Sequence, residues 1–165
     1  MSARTNYKLA LLLILSIVVI ATAKDMFLLP EPAVAHAADD TWQPSEMIQA
    51  DELAQLLSKE PKPVVLQVGI IHLYRINHIP GAKYAGPANT AEGLESLKKL
   101  AEKLPRTTQV VCYCGCCPWQ DCPNIRPAYK TLQGMGFKNV KALYLPTNFA
   151  QDWVTKGLPV EKGGS

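Results

Sequence analysis

The stretch VVCYCGCCPWQDCPNIRP, residues 110–127, holds all five cysteines of the chain: Cys112, Cys114, Cys116, Cys117 and Cys122. A β-branched run, Gln109-Val110-Val111, leads into it with strand character. The amphipathic stretch 128–135 follows it with helical character. The cysteines therefore fall on a strand-to-helix turn. In an open α/β sheet that turn lies at the carboxyl end of a strand, where ligands and reacting groups gather. Main-chain N–H groups of such a loop and of the next helix start favour a thiolate over a thiol.

On either side of this turn, strand-length apolar runs alternate with helical patterns. Met47-Ile48 reads as a very short first strand. Leu53, Leu56 and Leu57 predict a helix over 51–59, stopped by Pro61 and Pro63. Residues 64–68 form an almost continuous apolar run, the mark of a parallel strand covered on both faces. Residues 69–77 read as a loop, His78-Ile79-Pro80-Gly81-Ala82 as a turn and 83–85 as a short edge strand. Residues 89–104 predict a helix, with Asn89 and Glu92 as its N-terminal cap pair and Leu94, Leu97, Ala101 and Leu104 along one face. Pro127 suits the first turn of the next helix; Ala128, Leu132 and Met135 supply its buried stripe, and Gly134 or Gly136 its C-cap. A strand over 140–144 and a helix over 149–156, carrying a core Trp153, complete the pattern. Such alternation predicts an α/β fold: a three-layer α/β/α sandwich around a mostly parallel sheet of about five strands.

The N-terminus is of a different kind. Arg4 and Lys8 precede an uncharged apolar run over 9–23, and Lys24 and Asp25 end it. That is the pattern of a secretory signal; the alternative is a membrane anchor, for which the run is short of the roughly 18 to 20 residues a spanning helix needs. Both place the domain outside the cytoplasm, periplasmic or otherwise extracytoplasmic, with membrane contact only through this segment. The organisation expected is a signal or anchor over 1–37, a linker over 38–46 and one domain over 47–162. With 19% charged and 48% hydrophobic residues the chain is globular. Its net charge of +3 comes with no basic stripe and no interleaved aromatics, which excludes a nucleic-acid partner. In an oxidising compartment disulfides persist, and an odd cysteine count leaves at least one thiol free, metal-bound or intermolecular.

Several segments together resemble the rhodanese (sulfurtransferase) domain. They are the 64–68 strand, Tyr74 followed by His78-Ile79-Pro80-Gly81-Ala82, the strand Val110-Val111-Cys112-Tyr113-Cys114, then Gly136-Phe137-Lys138-Asn139-Val140, Trp153 and Gly157-Leu158-Pro159-Val160. The resemblance implies a persulfide-forming cysteine at Cys114, directly at the strand end. It also departs from the family. Gln67-Val68-Gly69 stands where Asp-Val-Arg is usual, and Leu145-Pro146-Thr147 where paired glycines are common. The loop 114–126 is about twice the usual length, with room for a second chemical group.

Three chemistries suit this loop. In sulfur transfer, Cys114 takes sulfane sulfur from a small donor and passes it to a thiol or other nucleophile. Arg126 would steady the thiolate and Gly115 would allow the tight backbone path. No cofactor is required. In a thiol–disulfide relay, Cys116, Cys117 and Cys122 resolve what forms on Cys114. In a binding module, Cys114, Cys116, Cys117 and Cys122 present four soft ligands to a metal or iron–sulfur cluster. Two disulfides that merely staple the loop are the plain alternative. Cys112 is expected as a buried core thiol on the same strand face as Cys114, His78 as a structural hydrogen-bonding group and His72 as a solvated loop residue. Trp119 is either a lid over the loop or a docking side chain, and Asp121 solvates it.

Overall fold

The computed structural model describes residues 41–164. The segment read as a signal or anchor, and the first residues of the expected linker, lie outside the described residues. Five strands form one all-parallel sheet: β1 (Met47–Ile48), β2 (Val64–Gln67), β3 (Lys83–Tyr84), β4 (Val110–Tyr113) and β5 (Val140–Leu143), in the order β1-β5-β4-β2-β3. Helices α1 (Ala50–Leu57), α2 (Ile71–Ile76), α3 (Ala91–Glu102) and α4 (Ile125–Gly134) connect them, and a wide π turn over Ala150–Val154 follows β5.

The central strand, β4, explains the layering. All four of its residues are buried, and successive side chains point to opposite faces. Val110 and Cys112 join Leu66, Leu97, Ala128 and Leu132 under α3 and α4. Val111 and Tyr113 join Ile48, Leu53, Leu143 and Trp153 on the other face. Cys112 and Trp153 are fully buried, as the sequence predicts.

Three local expectations change. Residues 71–76, read as loop, form α2. At six residues it is less than two turns long, too short to show a periodic stripe, and Ile76 stays half exposed. The cap of α3 is Thr90, whose Oγ1 accepts the Gly93 N–H at 3.0 Å. Asn89 instead gives its N–H to the Asn124 side chain, at 3.0 Å. Finally, Thr155 N–H reaches back to the Ala150 carbonyl, which makes the expected last helix a single wide turn. Residues 41–46, the end of the expected linker, lie against the domain: Trp42 packs its ring against Trp119 and Tyr129.

The His78-Ile79-Pro80-Gly81-Ala82 turn is structural. His78 Nδ1 lies 2.8 Å from the Tyr74 carbonyl, and its ring stacks on that of Tyr74. Tyr74 donates its hydroxyl to the Ala82 carbonyl at 2.8 Å. His78 and Glu161 exchange main-chain hydrogen bonds and tie the C-terminal segment to the turn.

Helix α3 also approaches the chain before it very closely. A Cβ on Gly93 would sit 1.9 Å from the Pro87 carbonyl oxygen. Gly→Ala at an ordinary helix position stabilises by about 1 kcal/mol. Here Gly93→Ala is expected to destabilise by about 2 kcal/mol or more, read as a lower urea midpoint. A gain in stability would contradict this packing.

Candidate active site in the cysteine loop

Strand β4 delivers Cys114 to the carboxyl edge of the sheet, and the chain then turns sharply through Gly115. That glycine has φ +74°, and a Cβ on it would lie 2.5 Å from the Phe149 Cβ. Its carbonyl accepts the Phe149 N–H at 3.1 Å. The loop thus leans on the segment after β5, where Trp119 N–H also meets the Pro146 carbonyl at 3.2 Å. A 3₁₀ turn, Trp119–Asp121, then leads to Cys122 and the start of α4. Trp119 is held between Trp42 and Tyr144, at ring separations of 4.9 and 5.2 Å, so it closes the loop as a lid. Asp121 is exposed.

The structure brings the sulfurs together. Cys114 Sγ lies 3.1 Å from Cys116 Sγ, and Cys116 Sγ lies 3.1 Å from Cys117 Sγ. The sulfurs of Cys114, Cys116 and Cys122 all fall within 4.8 Å of one another and could hold a soft metal ion. All five cysteines are free thiols, so no disulfide staples the loop in this state.

Cys114, expected as the exposed nucleophile, points inward and is 4% accessible. Its carbonyl takes a hydrogen bond from the buried Gln67 side chain at 3.4 Å, and its sulfur takes one from Asn124 Nδ2 at 3.4 Å. Gly69 leaves the sulfur its room, since a Cβ there would approach it to 2.8 Å. The S–H bonds that Cys114 makes toward Cys116 and Cys122, and then its burial, hold its pKa well above the thiol range. The same bonds act in reverse on the acceptors. The Cys114 S–H brings Cys116 down to about 6, against burial, with help from Cys117. It also brings Cys122 down to about 7, again against burial and with help from the Asn124 and Ile125 N–H groups at the start of α4. Cys117 is pushed up to about 12 by burial and by its bond to Cys116, and Cys112 to about 12 by burial alone in the main. Burial and the S–H bonds thus favour a thiolate on Cys116 or Cys122 over one on Cys114.

Access separates those two. Cys116, with Gly115, borders a cavity of about 280 Å³ opening between α2 and the Ala150–Val154 turn. Behind it, Cys114, Cys117, Cys122 and Trp119 close around a space of about 10 Å³, room for no more than one water. Of the two, Cys116 is the one that faces the larger cavity. Arg126, expected to steady the thiolate, lays its guanidinium 3.5 Å from the centre of the Trp42 ring and 3.9 Å from a Glu46 carboxylate oxygen. Besides the neighbouring thiols, Asn124 reaches the Cys114 sulfur, at 3.4 Å. His72 is exposed and does not border the cavity.

Sequence reasoning missed Gln67 and Asn124. A polar residue inside the otherwise apolar run 64–68 is a signal that it has a buried partner, and Gln67 has two: the Cys114 carbonyl and the Gly69 N–H. Asn124, between Pro123 and the first residue of α4, looks like an ordinary helix cap. Its side chain instead bridges Asn89 and Cys114.

Such a sheet carries its thiol cluster at the carboxyl end of its central parallel strand, the ligand-binding edge of an open α/β domain. Residues 49–144 match the family model described as Rhodanese-like domain, and the chain belongs to that family. Similar solved structures include the BH2092 protein of Bacillus halodurans, 21% identical over 72% of this chain and 77% of that one, with a TM-score of 0.56. The Alr3790 protein of Anabaena sp. is 21% identical over 72% of this chain and 94% of that one, with a TM-score of 0.54. Thiosulfate sulfurtransferase of Pseudomonas aeruginosa is 24% identical over 72% of this chain but 20% of its own, with a TM-score of 0.54. No curated protein gives a significant match. At these identities the neighbours establish the fold, a rhodanese-like α/β/α sandwich.

Iodoacetamide labelling of Cys116, followed by mass spectrometry against pH, should rise with a midpoint near 6, since only the thiolate reacts. Cys114→Ala removes the S–H that stabilises that thiolate, so the midpoint should move up toward the ordinary thiol value of about 8.5. An unmoved midpoint would contradict the assignment of the proton to Cys114.

Proposed function

We propose that this domain transfers sulfane sulfur through a cysteine persulfide on the 114–126 loop. Cys116 is the thiolate that meets the donor, and Cys114 is the buried partner that holds the proton. The observation that carries this is the position of Cys116: its sulfur lies 3.1 Å from a buried thiol while it borders the cavity at the end of the sheet. Membership of the rhodanese-like family supports the same chemistry.

The Cys116 thiolate attacks the outer sulfur of a donor R–S–SH. The donor S–S bond breaks, R–S⁻ leaves with the electron pair, and the transferred sulfur keeps its hydrogen as Cys116–S–SH. Loss of that proton gives a persulfide anion, which the Cys114 S–H is placed to stabilise. A thiolate acceptor then attacks the outer sulfur and restores the Cys116 thiolate. The partners are a small sulfur donor and a thiol or other nucleophile, and neither half-reaction requires a cofactor. The uncharged run over 9–23 supports an extracytoplasmic site of action.

The short Cys114–Cys116 separation also favours a second reading, a relay. The Cys114 thiol attacks the inner sulfur of the Cys116 persulfide, hydrogen sulfide leaves, and a Cys114–Cys116 disulfide remains for an external dithiol to reduce.

Mass spectrometry after treatment with a persulfide donor tests both. Sulfur transfer predicts one added, cyanide-cleavable sulfur, mapped to Cys116 and lost in Cys116→Ser. The relay predicts loss of two hydrogens, reversed by reductant and abolished in Cys114→Ser. No added sulfur and no disulfide, with stoichiometric metal in anaerobically purified protein, would replace both with a binding role.

A further inference from the structure

We infer that the donor for this site is a small, apolar organic persulfide rather than an inorganic sulfur anion. The inference rests on the sulfur-transfer reading above and concerns what fills the cavity beside Cys116.

The walls are hydrocarbon. Leu73 and Ile76 of α2 form one side; Phe149, Ala150 and Val154 form the other. Asn77 and Asn148 supply the polar side chains, and among the described residues no lysine, arginine, aspartate or glutamate lines the space. A thiosulfate-like anion entering here would be stripped of water beside a thiolate with no cation to receive it. Two main-chain N–H groups near the edge of the cavity are already taken. In the turn after β5, the Asp152 carboxylate already accepts the Thr147 and Asn148 N–H groups, at 2.6 and 2.9 Å. Arg126, the cation expected at the site, is stacked on Trp42.

An apolar group gains what the anion loses. Transfer from water into such walls is favourable, and the walls are set in advance. Phe149 is fixed by its N–H bond to Gly115, and its ring packs against those of Tyr113 and Trp153, at 5.3 and 5.9 Å. Ile70 and Ile76, both about half exposed on the α2 side, extend the apolar surface outward. The cavity, about 280 Å³, is at the small end of ligand pockets, which suits one ring or a short chain on the sulfur.

Two measurements on the whole domain test this. The first compares persulfide formation from benzyl persulfide, generated in situ, with that from thiosulfate. The organic donor should be faster by about tenfold or more, and Ile76→Arg, at a half-exposed position, should shift that ratio toward thiosulfate by a similar factor. Equal rates, or a ratio unmoved in Ile76→Arg, would overturn the inference. The second does not depend on sulfur transfer: alkylation of Cys116 by neutral N-benzyliodoacetamide against anionic iodoacetate, each normalised to its rate with free glutathione. The benzyl reagent should be favoured by about tenfold, and Ile76→Arg should reduce that preference. If that preference appears but no donor adds sulfur, the apolar pocket stands, whereas its role as a donor site and the sulfur-transfer reading both fall. If sulfur is added but neither preference appears, the transfer reading stands and the donor class proposed here falls.

Discussion

Thiols packed 3.1 Å apart at the end of a buried strand cannot titrate as independent groups, because each S–H can serve its neighbour's anion. In this loop the deepest sulfur, Cys114, is the least able to carry charge, because it is buried. It therefore keeps its proton and gives the hydrogen bond. Cys116 and Cys122 receive it, and their thiolates form at lower pH than free cysteine allows. The arrangement depends on the strand that places Cys114. Gln67 pins its carbonyl, Asn124 its sulfur, and Gly69 leaves the space that any larger side chain would take.

The consequence is a difference in access within one loop. The long loop places Cys116 at the cavity, with the sulfur of buried Cys114 3.1 Å from its own. Trp119, packed against Trp42 and Tyr144, covers the small space that Cys114, Cys117 and Cys122 line. Arg126 serves that closure, since its guanidinium lies on the Trp42 ring.

Much of the fold was legible because it rests on pattern. Val64 to Gln67 and Val110 to Tyr113 are apolar runs in a parallel sheet, and the leucine stripe of α3 has helical spacing. What stayed hidden depends on contacts between distant residues. Helix α2 is too short to announce itself, and α3 is capped by Thr90, one residue beyond Asn89. The cysteine cluster was visible in the sequence, and so was the place of Cys114 at the strand end; its burial was not. Which sulfur faces inward is decided by the path through Gly115 and by the Phe149 segment it leans on, and spacing alone does not contain that.

The most direct test is a crystal structure of protein treated with a limiting amount of persulfide donor. The account predicts one additional sulfur atom bonded to Cys116 Sγ and projecting into the cavity between α2 and the Ala150–Val154 turn, with Cys114 unmodified. Extra density on Cys114 instead, or none on any of the five cysteines, would contradict it.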